Sequence, residues 1–578
     1  MKLRYIKLIL IFAGISVAVS CKKYFDINLD PDRLPATNNT VYPQLLTSTQ
    51  VNLGFEGGSD LFRYTTLFVQ QMSGLASQPN QTYEYYRYNI TPTDQNNLWS
   101  IMFATSLSDL ELIIKQATAA GSTHYSGVAK ILKAYEYIKV VDTWGDVPYK
   151  EAQQLITNTQ PKFDDDVMIY DSIISILNRG IAEVGATTSF LSPGSNSVIY
   201  PGAWTAARPF WIKLANTLKL KVYLHYSKKD PAYCVQQINA LVNSSSASFM
   251  SSNADNMQVQ FYDVAGQRNP ISQFEVNRPN YLFADSRILS LMTSKGDPRR
   301  PYYFTSFPYQ GISLPISIST NAATATGNVL LFNSTTGAAV GMNISGTNIP
   351  VNTTITAVTA NSITISNNVT GTGVDITAPI TVAPSVFTGV SATAPPPAAN
   401  NNYSRIHTFL RGAVTAGAAP PFTYSGAVPQ RLLPYSEYCF IRAEAALMGV
   451  GAPGDAQTFY RAGITASMQE VGTNIAGITP ISANDIVNYL AVNGTLSGTP
   501  AQQLQKVIEE KYVALFGVPV EPWTDWRRTG YPALTPTVNG VTTQIPRSLF
   551  YPQSEVDANP NCPSQKPADL QTRVFWDN

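Results

Sequence analysis

Charge is scarce in this chain. Only 13% of its residues are Asp, Glu, Lys or Arg, and 39 basic residues stand against 38 acidic ones. No basic stripe suggests nucleic acid, and no acidic tail suggests a cationic partner. Histidine is scarcer still. His124, His225 and His407 lie far apart without HExxH spacing, so no metal centre is expected. Of four cysteines, Cys21 sits near the start, leaving Cys234, Cys439 and Cys562 without any CxxC spacing. That odd number argues against a zinc ribbon or a disulfide framework, with Cys234–Cys562 the pairing left open. Cys439 lies in an apolar helical stretch and reads as a small buried hydrophobe. There is no GxSxG elbow and no lysine-bearing P-loop. Gly449–Gly454 formally matches GxGxxG, but it follows a helix and contains Pro453, so it reads as a helix-to-helix turn. Glycosidase carboxylate pairs have no fixed spacing, which leaves a hydrolase open without supporting it. Neither catalytic residues nor a cofactor are expected.

The N-terminus is informative. Lys2, Arg4 and Lys7 precede the apolar run Leu8–Val19, which is too short to span a bilayer and has the length of a signal-peptide core. It ends in Ala18-Val19-Ser20-Cys21, a small residue directly before a cysteine, as in a bacterial lipobox. Residues 1–20 are therefore read as a lipoprotein signal peptide and Cys21 as the lipidated first residue; the other reading is ordinary secretory cleavage. Acyl chains on Cys21 would anchor the protein, each buried CH₂ contributing roughly 0.8 kcal/mol. Residues 21–40 are polar and turn-rich and read as a tether.

Aromatic residues are plentiful: 31 Tyr, 24 Phe and 7 Trp. Most are expected in the core, but an excess of tyrosine suits amphipathic rings at a surface. Between them run helices of clear amphipathic spacing: Tyr42–Val51, Leu61–Met72, Ser126–Val141, Asp165–Gly180, Trp211–Tyr226, Leu282–Ser294, Tyr435–Met448, Gln457–Met468 and Ala501–Phe516. Lys213, Lys219 and Lys221 fall between apolar positions and read as snorkelling from a packed face. Asp164–Asp166 reads as a helix cap. Met257, Val259 and Phe261 alternate as in a strand, and Tyr83, Tyr85 and Tyr88 suggest a strand with one wet face. Trp99 opens a helix running to about Ala120. At this length the chain exceeds one ordinary core, and paired helices point to stacked hairpins or an irregular bundle.

From Ile312 to Asn400 the composition changes. Only Asp375 is charged there, and Tyr and Trp are absent. Thr353–Ser366 reads as two alternating strands about a turn near Ala360–Asn361. The alternating isoleucines and valines favour a small all-β module over a disordered insertion. Residues 41–311 and 401–578 then form one helical domain, with 312–400 inserted.

Four stretches carry a resemblance: Asp142–Ala152 (DTWGDVPYKEA), Trp211–Leu220 (WIKLANTLKL), Tyr435–Gly449 (YSEYCFIRAEAALMG) and Glu510–Leu534 (EKYVALFGVPVEPWTDWRRTGYPAL). The last continues through Pro546-Arg547, Tyr551-Pro552 and Glu555. In this order, behind a lipobox, they resemble the SusD/RagB family of outer-membrane lipoproteins, and its SusD-like branch in particular. The resemblance implies a mainly α fold of tetratricopeptide-like helical hairpins with irregular ligand-binding loops. It also implies a surface-facing lipoprotein of Bacteroidetes-type bacteria, held to the outer membrane through its lipid anchor. Such a protein captures a nutrient, typically an oligosaccharide, and delivers it as a lid to a SusC-like TonB-dependent transporter. Catalysis is not implied. Peptide capture, as in RagB-like members, is the alternative within the family; a surface hydrolase or an adhesin are the others.

Sugar rings stack on Tyr and Trp while amides and Arg bind hydroxyls. Ring-rich loops outside the shared motifs therefore supply the candidate ligand residues. They are Tyr83, Tyr85, Tyr86, Arg87, Tyr88 and Trp99 on one side, and Asn280, Tyr302, Tyr309 and Tyr403 on the other. Trp523, Trp526, Arg527 and Arg528, dense as they are, belong to the shared motif and read as scaffold.

Overall fold

The computed structural model describes residues 41–578 except 76–79, 155–156, 307–315, 319–326, 337, 339–341, 351–352, 371–379, 384–386, 394–402, 417–421 and 474. The expected signal peptide and tether, with Cys21, and Tyr309 lie outside the described residues.

The fold is mainly α, built on helical hairpins. Thr123–Trp144 packs along Asp166–Val184. Two glycines allow the close approach. A Cβ on Gly127 would meet Val184 N at 2.8 Å, and one on Gly180 would meet Ile131 Cγ1 at 2.9 Å. The second helix starts at Asp165, whose Oδ1 accepts from Val167 N and Met168 N. Trp204–His225 lies against this pair and Pro231–Val242 against Trp204–His225. A second hairpin joins Tyr435–Leu447 to Asp455–Gln469, and Pro500–Ala514 packs on both of its helices. Its turn is the GxGxxG match, with Gly449, Gly451 and Gly454 all near φ +92°. Here the tight crossing uses Gly463, where a Cβ would meet the Phe440 ring at 2.8 Å.

Three local expectations change. The helix expected over Leu282–Ser294 begins only at Ser286, with Phe283–Ala284 in a strand and Asp285 as the cap. The tyrosine-rich segment forms the helix Gln81–Tyr86, not a strand. Asn80 caps it, its Oδ1 accepting from Tyr83 N at 3.1 Å, and the tyrosines pack by tertiary burial rather than on a sheet. Lys221 does not snorkel. It is buried between Glu437 (3.0 Å) and Glu521 (2.6 Å). The helix expected from Trp99 begins three residues earlier, at Asn96, and runs on to Ala119 through a π-helical stretch at Ser100–Leu107.

Met257–Gln260 is a strand, paired antiparallel with Pro429–Leu433. Within 312–400 two three-stranded antiparallel sheets surround Leu330, Phe332, Ile344, Ile355, Ile363 and Val382, an apolar cluster distinct from the main core. Ile355–Val358 and Ser362–Ile365 are the hairpin about the turn at 359–361. The end of this segment returns to the body: Val390 N donates to Ala284 O (2.9 Å) and Ser286 N to Val390 O (2.8 Å).

Glu521–Thr529 is buried as a latch between distant parts of the chain. Trp523 Nε1 donates to Pro546 O at 2.8 Å, and the Arg527 guanidinium lies 3.6 Å from the Trp523 ring centre and 4.7 Å from that of Trp576. Arg528 pairs with Glu444 and Asp525. Cys234, Cys439 and Cys562 are free thiols.

Candidate functional site

The strand pair Met72–Ser73 and Phe283–Ala284 brings the two halves of the ring-rich region together. Gly74 follows, so close to the next helix that a Cβ there would lie 2.5 Å from Tyr83 Cα. At the join, the buried Asp285 carboxylate accepts from Ser73 Oγ and Arg287 N. Burial pushes this carboxyl up to about 7, against the pull of those two donors. Tyr86 and Tyr88 sit beside it. Both are buried, and the Tyr88 hydroxyl accepts from Thr537 N at 3.2 Å.

The expected ligand residues divide by exposure. Trp99 is covered by Phe103 at 4.0 Å on one side, Phe163 at 6.1 Å and the edge of Trp144 at 5.1 Å. Tyr403 is buried against Phe283, Leu75 and Val390. Asn280 sits at φ +69° and accepts from Arg405. Tyr302 is half-buried against the core. Tyr83 is half-buried below the Arg87 guanidinium, and Arg87 Nε donates to Asn539 O at 3.3 Å. Tyr85 is buried, but its edge reaches a cleft.

That cleft has a volume of about 500 Å³. One wall is the start of the helix Asp60–Phe68, with Asp60 and Arg63. A second comes from Gln81 and Tyr85. Thr93, Asp94 and Asn97 form the third, and Phe274, Asn277 and Arg278, at the end of Pro270–Asn277, form the fourth. Each wall is fixed locally. Asn269 caps the fourth, its Oδ1 accepting from Ile271 N at 2.9 Å. Asp94 closes a capping box, accepting from Thr91 N (2.8 Å) and Thr91 Oγ1 (2.6 Å) on one oxygen and from the Tyr85 hydroxyl (3.0 Å) on the other. Burial raises the pKa of that Tyr85 hydroxyl and keeps it a donor. Arg63 donates to Gln81 Oε1 at 3.0 Å and to Asp60, with its guanidinium 4.8 Å from the Phe274 ring centre and 5.7 Å from that of Tyr85. Arg278 lies 5.6 Å from the same Phe274 centre.

The arrangement offers a half-exposed apolar ring edged by guanidinium, amide and hydroxyl groups, which suits a polar ligand with an apolar face. Sequence reasoning named Tyr85 and, two residues beyond the cleft rim, Asn280. It missed Arg63, Gln81, Asn97, Phe274, Asn277 and Arg278. The available signal was Arg278-Pro279 directly ahead of Asn280, a loop start carrying a charge.

Two other clusters are occupied by their own chain. A cleft of about 520 Å³ beside Pro500–Ala514 is lined by Lys295, which pairs with Glu510 at 2.8 Å, and Lys506, which bonds Ser497 and Thr495 O. Carboxylate oxygens of Asp146, Asp165 and Asp166 lie within 4.8 Å of one another. They accept from the backbone N–H groups of Asp166, Val167, Met168 and Phe575. No described helix is long and apolar enough to cross a membrane.

Comparison with known proteins gives the chain its place. A comparison with curated proteins finds no match. Among solved structures, a chitin-binding protein has a TM-score of 0.65 at 22% identity, over 93% of this chain and 99% of its own. A SusD homolog from Bacteroides fragilis has a TM-score of 0.62 at 22% identity, over 90% and 94%. A chitin-binding SusD homolog from Flavobacterium johnsoniae has a TM-score of 0.62 at 18% identity, over 93% and 98%. These likenesses establish a shared fold. The SusD-like family model, described as starch-binding associating with outer membrane, matches residues 34–343 and 398–552. Its interruption falls inside the β-rich segment, and the match takes in both helical hairpins, the cleft and the latch: the chain belongs to the SusD-like family.

Proposed function

We propose that this protein captures an oligosaccharide at the bacterial surface and passes it to a transporter, without catalysis. The observation that carries this reading is the cleft between Arg63, Tyr85 and Phe274, in a chain of a family described as starch-binding and outer-membrane associated. Two structural relatives named as chitin-binding point the same way. Phe274 supplies the apolar face on which a sugar ring stacks. Arg63, already held by Asp60 and Gln81, presents its remaining donors to hydroxyls, while Asn97 and Asn277 serve as amide partners. Tyr83, Arg87, Asn280 and Tyr302 are the other candidate residues that keep some exposure for a ligand. Acylated Cys21 holds the protein at the outer membrane, and a TonB-dependent barrel is the partner to which it acts as a lid.

A binding screen of the lipid-free protein against neutral and acidic oligosaccharides tests the first step. Phe274→Ala is expected to weaken any glycan that binds by about tenfold, the equivalent of one lost ring stack. An unchanged affinity would move the site elsewhere. Copurification of a barrel with the acylated protein, lost in Cys21→Ser, tests the second step.

A further inference from the structure

One cation of the cleft is left without a carboxylate partner, and this indicates the kind of sugar it takes. Four charged side chains line it: Asp60, Arg63, Asp94 and Arg278. Three are occupied. Asp60 pairs with Arg63, and Asp94 accepts from Thr91 and Tyr85. Arg278 is exposed at the rim, and among the described residues no carboxylate pairs with it. Both guanidinium groups lie against one ring, Phe274, at 4.8 Å and 5.6 Å from its centre. Two like charges on one aromatic ring repel, and only the inner one has a counter-ion.

An anion between the ring and Arg278 would relieve that repulsion and receive a planar fork of donors, the geometry that matches a carboxylate or a sulfate ester. The geometry points to an anionic saccharide, whose acidic unit sits on Arg278 while its ring covers Phe274. This deepens the oligosaccharide reading and rests on it. A uronate carboxylate and a sugar sulfate present the same charge and acceptor set to this residue.

The test uses the full chain in detergent and paired probes that differ only in charge. One pair is a hexagalacturonate and its methyl ester; the other is a sulfated galactan oligosaccharide and its desulfated form. The acidic member of at least one pair is expected to bind about tenfold more tightly at low salt, with the ratio shrinking as salt screens the rim. Arg278→Gln should collapse that ratio to below about threefold, and Arg278→Lys should restore part of it. Arg268→Gln, an exposed arginine paired with Asp263 instead, should leave the ratio intact. Whichever pair discriminates identifies the acid. Equal affinity within both pairs, or discrimination that survives Arg278→Gln, overturns the inference while neutral binding keeps the saccharide reading. Failure of every glycan in the screen overturns both.

Discussion

Arg528 is the sharpest place to test how this fold is held. It is 5% exposed and lies in a buried cluster of three cations, Lys221, Lys511 and Arg528, and four carboxylates, Glu437, Glu444, Glu521 and Asp525. Its two amino nitrogens meet both Glu444 oxygens, one at 2.8 Å, and it also bonds Asp525 at 2.9 Å and Ser227 at 2.7 Å. Arg528→Met keeps much of the volume and strands Glu444 as an unpaired buried charge. Removing one partner of a buried pair costs about 3–5 kcal/mol. At roughly 2 cal/mol/K of unfolding entropy per residue, a chain of 578 residues has about 1.2 kcal/mol/K, so Tm should fall by about 2.5–4 °C. The double variant Arg528→Met with Glu444→Met removes both charges. Asp525 keeps Lys511 at 2.9 Å, so most of the loss should be recovered. Urea unfolding followed by tryptophan fluorescence, alongside calorimetry, reads both values. A single variant that loses less than about 1 kcal/mol, or a double variant no better than the single, would refute the reasoning. Arg268→Ala, in an exposed pair, serves as the control and should change stability by less than about 1 kcal/mol.

Two further predictions concern the same scaffold. Arg527→Lys removes the planar contact with Trp523 and Trp576 and should cost about 1–2 kcal/mol by urea unfolding, with glycan affinity unchanged, because this latch lies outside the cleft. Burial pushes the Glu437 carboxyl up to about 7, with Lys221 pulling it back and Glu521 adding to the rise. A raised acid favours folding fully below its ordinary value near 4.5 and loses that contribution as pH climbs through about 7. Glu437→Gln cannot ionise, so its stability relative to the parent should rise between pH 5.5 and 8.5 by on the order of 1–3 kcal/mol; a difference that stays flat with pH would exclude the assignment.

The helical frame was legible because amphipathic spacing survives in local sequence: Ser126–Val141 and Tyr435–Met448 show it without any knowledge of their neighbours. The hairpin at 355–365 was legible for the same reason, with period two in place of 3.6. What local sequence does not carry is the partner. Lys221 reads as a solvated lysine until Glu437 and Glu521, both hundreds of residues away, close around it. Tyr83 and Tyr85 alternate as in a strand, but a single cap at Asn80 and the Tyr64 ring 4.6 Å from Tyr85 turn the segment into a buried helix.

The candidate site was less legible than the fold, and ring density explains why. A ring binds sugar only with a face left open, and the faces of Trp99 and Tyr403 are used by Phe103, Phe163, Phe283 and Val390. Arg63 lies in sequence between Phe62 and Tyr64, and Phe274 between Gln273 and Glu275, with nothing local to mark either as part of a site. They become a site only where the helices Asp60–Phe68 and Pro270–Asn277 meet Gln81 and Asp94. The more diagnostic quantity is therefore the polar group left over once the internal bonds are assigned. In this chain that leads past the tyrosine cluster, where Tyr85, Tyr86 and Tyr88 are buried, to the half-exposed Phe274 ring and to the one cleft guanidinium without a carboxylate partner among the described residues, Arg278.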